Sequence, residues 1–440
     1  MFKPDTSGIC FRPFWSDRAA LWFTPGISGV NISALVYGSA SCISLIGFMG
    51  LVQPYLLNEV LQIPVERQGA LTGNLAALHE VVVILLMGIA GAISDNIGRK
   101  IMFVGGFILL GVGYVIYPLA GDELQLYLFR LIFAVGAAVA PTMMSACIVD
   151  YIQETSRGRW IGFNSIFTAL GVIFMATVLA RTPAMYLSSG ADAVDAGRYA
   201  FWTAAAICAI SALVLAIGLK GRGTDKPAYK PVLDQLKKGL IAGIHNPRLG
   251  LAYAASFIGR GDLVIIATFF SLWIVQAGGD LGLESSESLA RAGMLFAILQ
   301  GSALVWGFFM GMISDRFNRV TSLAVALMLA GCSYLLMSRI DNPFGGPQVI
   351  LAAVLLGIGQ VSVIVAAGAL MGQEAIEDFR GAIVGVFGVT GAVGILFATA
   401  VGGYLFDAIG RTAPLAMMGI LNLLVLVPAV LVRFKSAAPG

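Results

Sequence analysis

Apolar runs of about twenty residues, broken by short polar stretches, recur along the chain from residue 31 to residue 432. As a helix, each is long enough to cross a hydrocarbon layer about 30 Å thick. The pattern predicts twelve spans, at 31–52, 70–93, 101–119, 124–149, 160–180, 199–219, 249–277, 291–313, 320–337, 348–371, 380–405 and 413–432. The longest polar interruption, from Lys220 to Arg248, divides them six and six. The expected fold is therefore an all-α membrane protein. Its parts are an interfacial segment 1–30, a six-helix bundle 31–219, a linker 220–248, a second six-helix bundle 249–433 and a tail 434–440. The linker is either simply solvated or carries a short amphipathic helix around Pro231 to Ile244 on the inner membrane face.

Composition sharpens this picture. Charged residues make up 12% of the 440 positions, about half the usual share, and hydrophobic residues 58%, which excludes an ordinary soluble surface. With the N-terminus inside, 19 of the 27 Lys and Arg fall on the inner side, so both termini are expected in the cytoplasm of an inner-membrane protein. The first 30 residues lack the order of a cleaved signal peptide. Glycine strings such as Gly381, Gly385, Gly388, Gly391 and Gly394 fit close helix packing within a membrane. Five isolated cysteines fit packing as well. The net charge of +3 gives no reason to expect a nucleic-acid partner. With no phosphate-binding loop, metal-ligand spacing or nucleophile–base arrangement, the chain reads as neither an enzyme nor an ATP-driven pump, and no cofactor is expected.

Two loops repeat. "GAISDNIGRK", residues 91–100, returns as "GMISDRFNRV" at 311–320, so that Gly91, Ser94, Asp95 and Arg99 match Gly311, Ser314, Asp315 and Arg319 at an offset of 220. A second pair, "ETSRGR" from Glu154 and "EDFRGA" from Glu377, aligns Arg157 and Gly158 with Arg380 and Gly381 at an offset of 223, which Gly136 and Gly359 share. The halves therefore read as structural repeats.

On these residues the chain resembles the major facilitator superfamily of secondary transporters. Gly91, Asp95, Gly98, Arg99 and Lys100 all match that family's signature loop, whereas the second copy has Asn318 for the glycine and Val320 for the last basic residue. Arg130 and the following "VGAAVAP" match a family feature of the fourth span. The proline-glycine pattern of antiporters is not visible in the fifth. The resemblance implies that the signature loop latches the halves together on the inner side, against the start of the eleventh helix, where Arg380 lies. Gly91, Asp95, Gly98, Arg99 and Lys100, with Asp315, Arg319, Arg157 and Arg380, are thus the expected conformational gate. For Asp95 and Asp315 the alternative is that the charges only set topology.

Ionisable groups inside a bilayer are costly and call for a partner, a wet cavity or a function. Glu80, Arg130, Arg260 and Asp262 are such groups, with His79 beside the first. Glu80, near mid-membrane, either exchanges protons or stands in a static pair with Arg130 or a neighbouring helix. Asp262 is the second expected proton-coupling acid, and Gly259 and Gly261 around it are expected to loosen the seventh span. Arg130 and Arg260 are expected to contact substrate, with Asn164, Gln300, Trp306 and Gln360 as further polar candidates. The resulting expectation is a monomeric, proton-coupled secondary transporter that moves a small organic solute across the bilayer by alternating access, of the drug or metabolite exporter type. The alternatives are a proton symporter for uptake of an organic anion and an uncoupled facilitator or sensor.

Overall fold

The structure is a computed structural model, in which residues 7–11, 20–221, 232–375 and 380–435 are described. Among the described residues, twelve helices are long and apolar enough to cross a membrane. They are α1 (Gly29–Tyr55), α2 (Val65–Ile97), α3 (Arg99–Ile116), α4 (Glu123–Tyr151), α5 (Glu154–Thr177) and α6 (Ala193–Gly218) in the first half. In the second half they are α7 (Pro247–Asp280), α8 (Ser285–Arg316), α9 (Arg319–Ser338), α10 (Pro347–Glu374), α11 (Arg380–Ala408) and α12 (Ala413–Lys435). Side-chain caps define several starts. Asp122 accepts from the amide of Gln125 and Asp192 from that of Asp195, while Asn246 caps α7 through Arg248 and Leu249.

The repeat reappears as packing. In the first half α3 packs on α4 and α6, and in the second α9 packs on α10 and α12. The matched glycines sit at these crossings. A Cβ on Gly136 would lie 2.7 Å from the Leu110 amide nitrogen, and one on Gly359 would lie 2.7 Å from the Ala330 Cα. Small residues let membrane helices approach where lipid offers no hydrophobic drive. Of the glycine string on α11, Gly391 and Gly394 seat α7, whereas Gly381 and Gly388 face open space.

One feature modifies the all-helical expectation. Strands β1 (Cys10–Phe11) and β2 (Leu21–Trp22) form a small antiparallel hairpin. It is tied to the connection between α4 and α5, where Trp22 N–H donates to Ser156 Oγ, Thr24 Oγ1 donates to the Asp150 carbonyl, and Gln153 Nε2 donates to the Phe23 carbonyl. The linker does carry a helix, Val232–His245, whose Gly239 carbonyl accepts from the Tyr253 hydroxyl of α7 at 3.0 Å. Helix α7 runs unbroken, so Gly259 and Gly261 do not loosen it. They instead admit neighbours, since a Cβ on Gly261 would lie 2.9 Å from the Met418 Cε. Cys42, Cys147 and Cys208 are buried, whereas Cys332 is exposed on α9 rather than packed.

By Cα proximity the described residues form two compact units, one within Met1–Met49, Glu59–Leu61 and Val81–Pro227, the other within Gly50–Asn58, Gln62–Glu80 and Ala228–Gly440. The first part of α2 thus belongs to the unit that holds α7 to α12.

Candidate functional site

The signature loop is built around Arg99, the first residue of α3. Its Nη1 reaches Asp95 Oδ1 at 2.7 Å and Ser94 Oγ at 2.6 Å, and its Nε reaches Asp150 Oδ2, at the end of α4, at 3.0 Å. The forked guanidinium suits two carboxylates at once, in a way that a lysine ammonium does not. Ser94 in turn donates to the Gly91 carbonyl at 2.7 Å. Gly98 joins α2 to α3 at φ 103°, ψ 142°, a region that only glycine occupies without strain. Gly98→Ala should cost about 1 to 3 kcal/mol. Thermal unfolding in detergent checks this, and a melting point equal to that of the unmodified protein would show that the turn relaxes.

The second copy solves the same turn differently. Asn318 adopts φ −59° and caps α9 by accepting from the amides of Val320 and Thr321, so no glycine is needed. Arg319 donates to the Ala369 carbonyl of α10 at 2.8 Å, at the position corresponding to Arg99 on Asp150. Asp315 is exposed and Ser314 Oγ is buried without a partner. Of the second loop pair, Arg157 donates to the Val149 carbonyl at 3.3 Å. Residues 376–379, and the side chain of Arg380, lie outside the described residues. Gly91 and Lys100 are partly buried, and a Cβ on Gly91 would meet nothing within 4 Å.

The intramembrane charges separate into three settings. Glu80, partly buried in mid-α2, lies within electrostatic reach of Arg260, which is exposed on α7 near the middle of that 34-residue helix. A guanidinium placed at such depth is stable only beside a counter-charge or water. Arg130, 7% exposed, lies 5.8 Å from the Tyr117 ring centroid and 5.4 Å from that of Phe133, with Nε and Nη1 unpaired. These rings give it cation–π contact on an apolar background. Asp262 is completely buried and accepts from Asn422 Nδ2, at 3.0 and 3.1 Å to its two oxygens.

The remaining polar candidates divide. Asn164 and Gln360 are buried, each with its amide oxygen unpaired. Trp306 donates to Ser362 Oγ at 2.9 Å, and Gln300 is half-buried.

A further cluster had no signal strong enough to single it out from sequence. Asp407, near the end of α11, accepts from the amides of Gly69 at 2.9 Å and Ala70 at 2.6 Å on α2. At the same crossing a Cβ on Gly73 would overlap the Thr399 carbonyl and lie 2.9 Å from the Gly403 Cα. Gln276 of α7 donates to Gln68 Oε1 at 3.1 Å and to the Val65 carbonyl at 3.3 Å. The small-residue spacing of Gly69 and Gly73, with an acid closing the eleventh span, is the trace these residues leave in the sequence.

Known proteins resemble the chain along most of its length. Magnetosome protein MamH of Paramagnetospirillum magneticum is 28% identical over 427 residues, covering 93% of this chain and 94% of MamH. Multidrug resistance protein 1 of Bacillus subtilis is 22% identical over 384 residues, covering 82% of this chain and 87% of that one. The crystal structure of nucleoside transporter NupG superposes with a TM-score of 0.69 at 14% identity, covering 94% of this chain and all of that one, a likeness of fold. The sequence profile of the Major Facilitator Superfamily matches residues 34–375 and 255–440. With twelve spanning helices, a repeated loop and that match, the chain belongs to the Major Facilitator Superfamily of membrane transporters.

Proposed function

We propose that this transporter moves a small organic solute of the drug or metabolite type by proton-coupled alternating access, as a monomer in the inner membrane. The observation that carries the reading is the juxtaposition of Glu80 and Arg260 at mid-helix depth. A carboxyl that holds either a proton or a cationic solute, but not both, exchanges the two fluxes, and the neighbouring guanidinium pairs with the carboxylate once both have left. Asp262 is the second acid in this scheme. Arg130, Arg260, Asn164, Gln300, Trp306 and Gln360 supply polar contacts to substrate. The Gly91 to Lys100 loop and its repeat, with Arg157 and Arg380, form the gate as the six-helix halves rock. The resemblance to Multidrug resistance protein 1 supports the exporter type.

Proteoliposomes loaded with ethidium, under an imposed pH gradient, test the coupling. Dye flux should follow the gradient in the unmodified protein and fall at least about tenfold in Glu80→Gln. Flux that ignores the gradient and survives the substitution refutes it. The unpaired Nε and Nη1 of the buried Arg130 favour a second reading, in which the solute is an organic anion taken up with protons. Arg130→Gln should then abolish binding of an anionic dye and spare a cationic one.

A further inference from the structure

Asn422 stands alone as a polar residue in the apolar run "GILNLLVLVP" of α12, and it is completely buried. Its Nδ2 lies 3.0 and 3.1 Å from the two carboxyl oxygens of Asp262 and 2.9 Å from the Met418 carbonyl. Its Oδ1 has no hydrogen-bond partner. Tyr334 on α9, a titratable side chain in electrostatic contact with Asp262, donates a hydrogen bond to the Asp262 backbone carbonyl at 2.8 Å, not to the carboxyl. Arg260, two positions from Asp262, is exposed and lies about 200° around α7 from it.

Asp262 therefore meets one amide and no cation among the described residues. A buried carboxyl needs donors when ionised and an acceptor when protonated, and leaving either need unmet costs the full desolvation of that group. The Asn422 amide carries both. One N–H is shared by the two carboxyl oxygens while the other reaches the Met418 carbonyl, and the orphaned oxygen would face the acid after a half-turn of the amide, a rotation that exchanges two chemically different ends of the same flat group. Its neighbours Leu421, Leu423 and Leu424 are apolar, so the amide is the polar group that this run brings to the acid.

We propose that Asn422 is a positioning residue for proton exchange at Asp262, its amide donating to the carboxylate and, once turned, accepting from the acid. The inference rests on the reading that buried acids carry protons in this transporter. It assigns Asn422 a role that neither gate nor substrate site gives it.

Dicyclohexylcarbodiimide, an apolar reagent that modifies protonated carboxyls, provides the test on the full-length protein in liposomes, read by mass spectrometry of the Asp262 peptide as pH is varied. In the unmodified protein, labelling of Asp262 should fall as pH rises. In Asn422→Leu it should persist, about tenfold faster at the alkaline end, the equivalent of one lost hydrogen bond to a charged group. Asn422→Asp keeps the shape of the site should leucine disturb folding. There two carboxyls share a proton and labelling should again persist. Asp262 left unlabelled throughout, or labelled along the same pH curve in all three proteins, overturns the proposal. Gradient-driven flux separates the two failures. If Glu80→Gln and Asp262→Asn leave it intact, the coupling reading fails. If they abolish it while labelling is indifferent to residue 422, only the role of Asn422 fails.

Discussion

Gly136→Leu and Gly359→Leu are each expected to cost at least about 3 kcal/mol and to leave little monodisperse protein after detergent extraction. At Gly136 even a methyl group would sit 2.7 Å from the Leu110 nitrogen and 2.8 Å from the Gly106 carbonyl oxygen, both backbone atoms that cannot turn aside. At Gly359 the obstacles are the Ser333 hydroxyl, which can rotate away, and the Ala330 Cα, which cannot. Either substitution must therefore push α3 off α4, or α9 off α10, and give up the packing along the whole crossing. Gly105→Leu is the control, because a Cβ there meets nothing within 4 Å although it neighbours Gly106 in the sequence. Size-exclusion profiles after a heating series decide the matter. If the Gly136 and Gly359 variants track Gly105→Leu, the matched glycines are not packing positions.

Arg99→Ala should cost about 2 kcal/mol, because it leaves two carboxylates, Asp95 and Asp150, beside each other without their shared donor. The side chain of Arg99 is only 22% exposed, so added salt should screen the effect weakly. Arg99→Lys should recover part of the loss, since an ammonium can face one carboxylate but cannot fork to both. A thermal double-mutant cycle with Asp150→Asn measures the pairwise share. Melting points for Arg99→Ala and Arg99→Lys equal to that of the unmodified protein would mean that the loop charges act on topology alone.

The twelve helices and the repeat were legible because they are written in long signals. Hydrophobic length fixes the spans, and an offset of 220 to 223 recurs at residue types with narrow physical uses, a turn glycine, a forked cation and a crossing glycine. The wear of the second loop also has a local cause, since Asn318 makes a capped turn where Gly98 makes a left-handed one. What stayed hidden depends on contacts between distant positions. Periodicity carries no information on which cation stands beside Glu80, and Arg260 is 180 positions away. A single asparagine in an apolar span looks like a tolerated polar residue until its buried acid, 160 positions earlier, is seen beside it. Asp407 likewise reads as a span-ending charge, although its carboxylate closes on two amides of α2. The glycines at 259 and 261 suggested a broken helix because sequence shows their freedom but not the Met418 and Val363 side chains that use the space.

The hairpin at the start of the chain has a mechanical consequence. Its residues Trp22, Phe23 and Thr24 are bonded side by side to the strip from Asp150 to Ser156, so a displacement of β2 reaches that strip through several short bonds at once. That strip also carries the Asp150 carboxylate that holds Arg99. The β2 strand is thus moored to the same strip that anchors the signature loop, and the two share one tether.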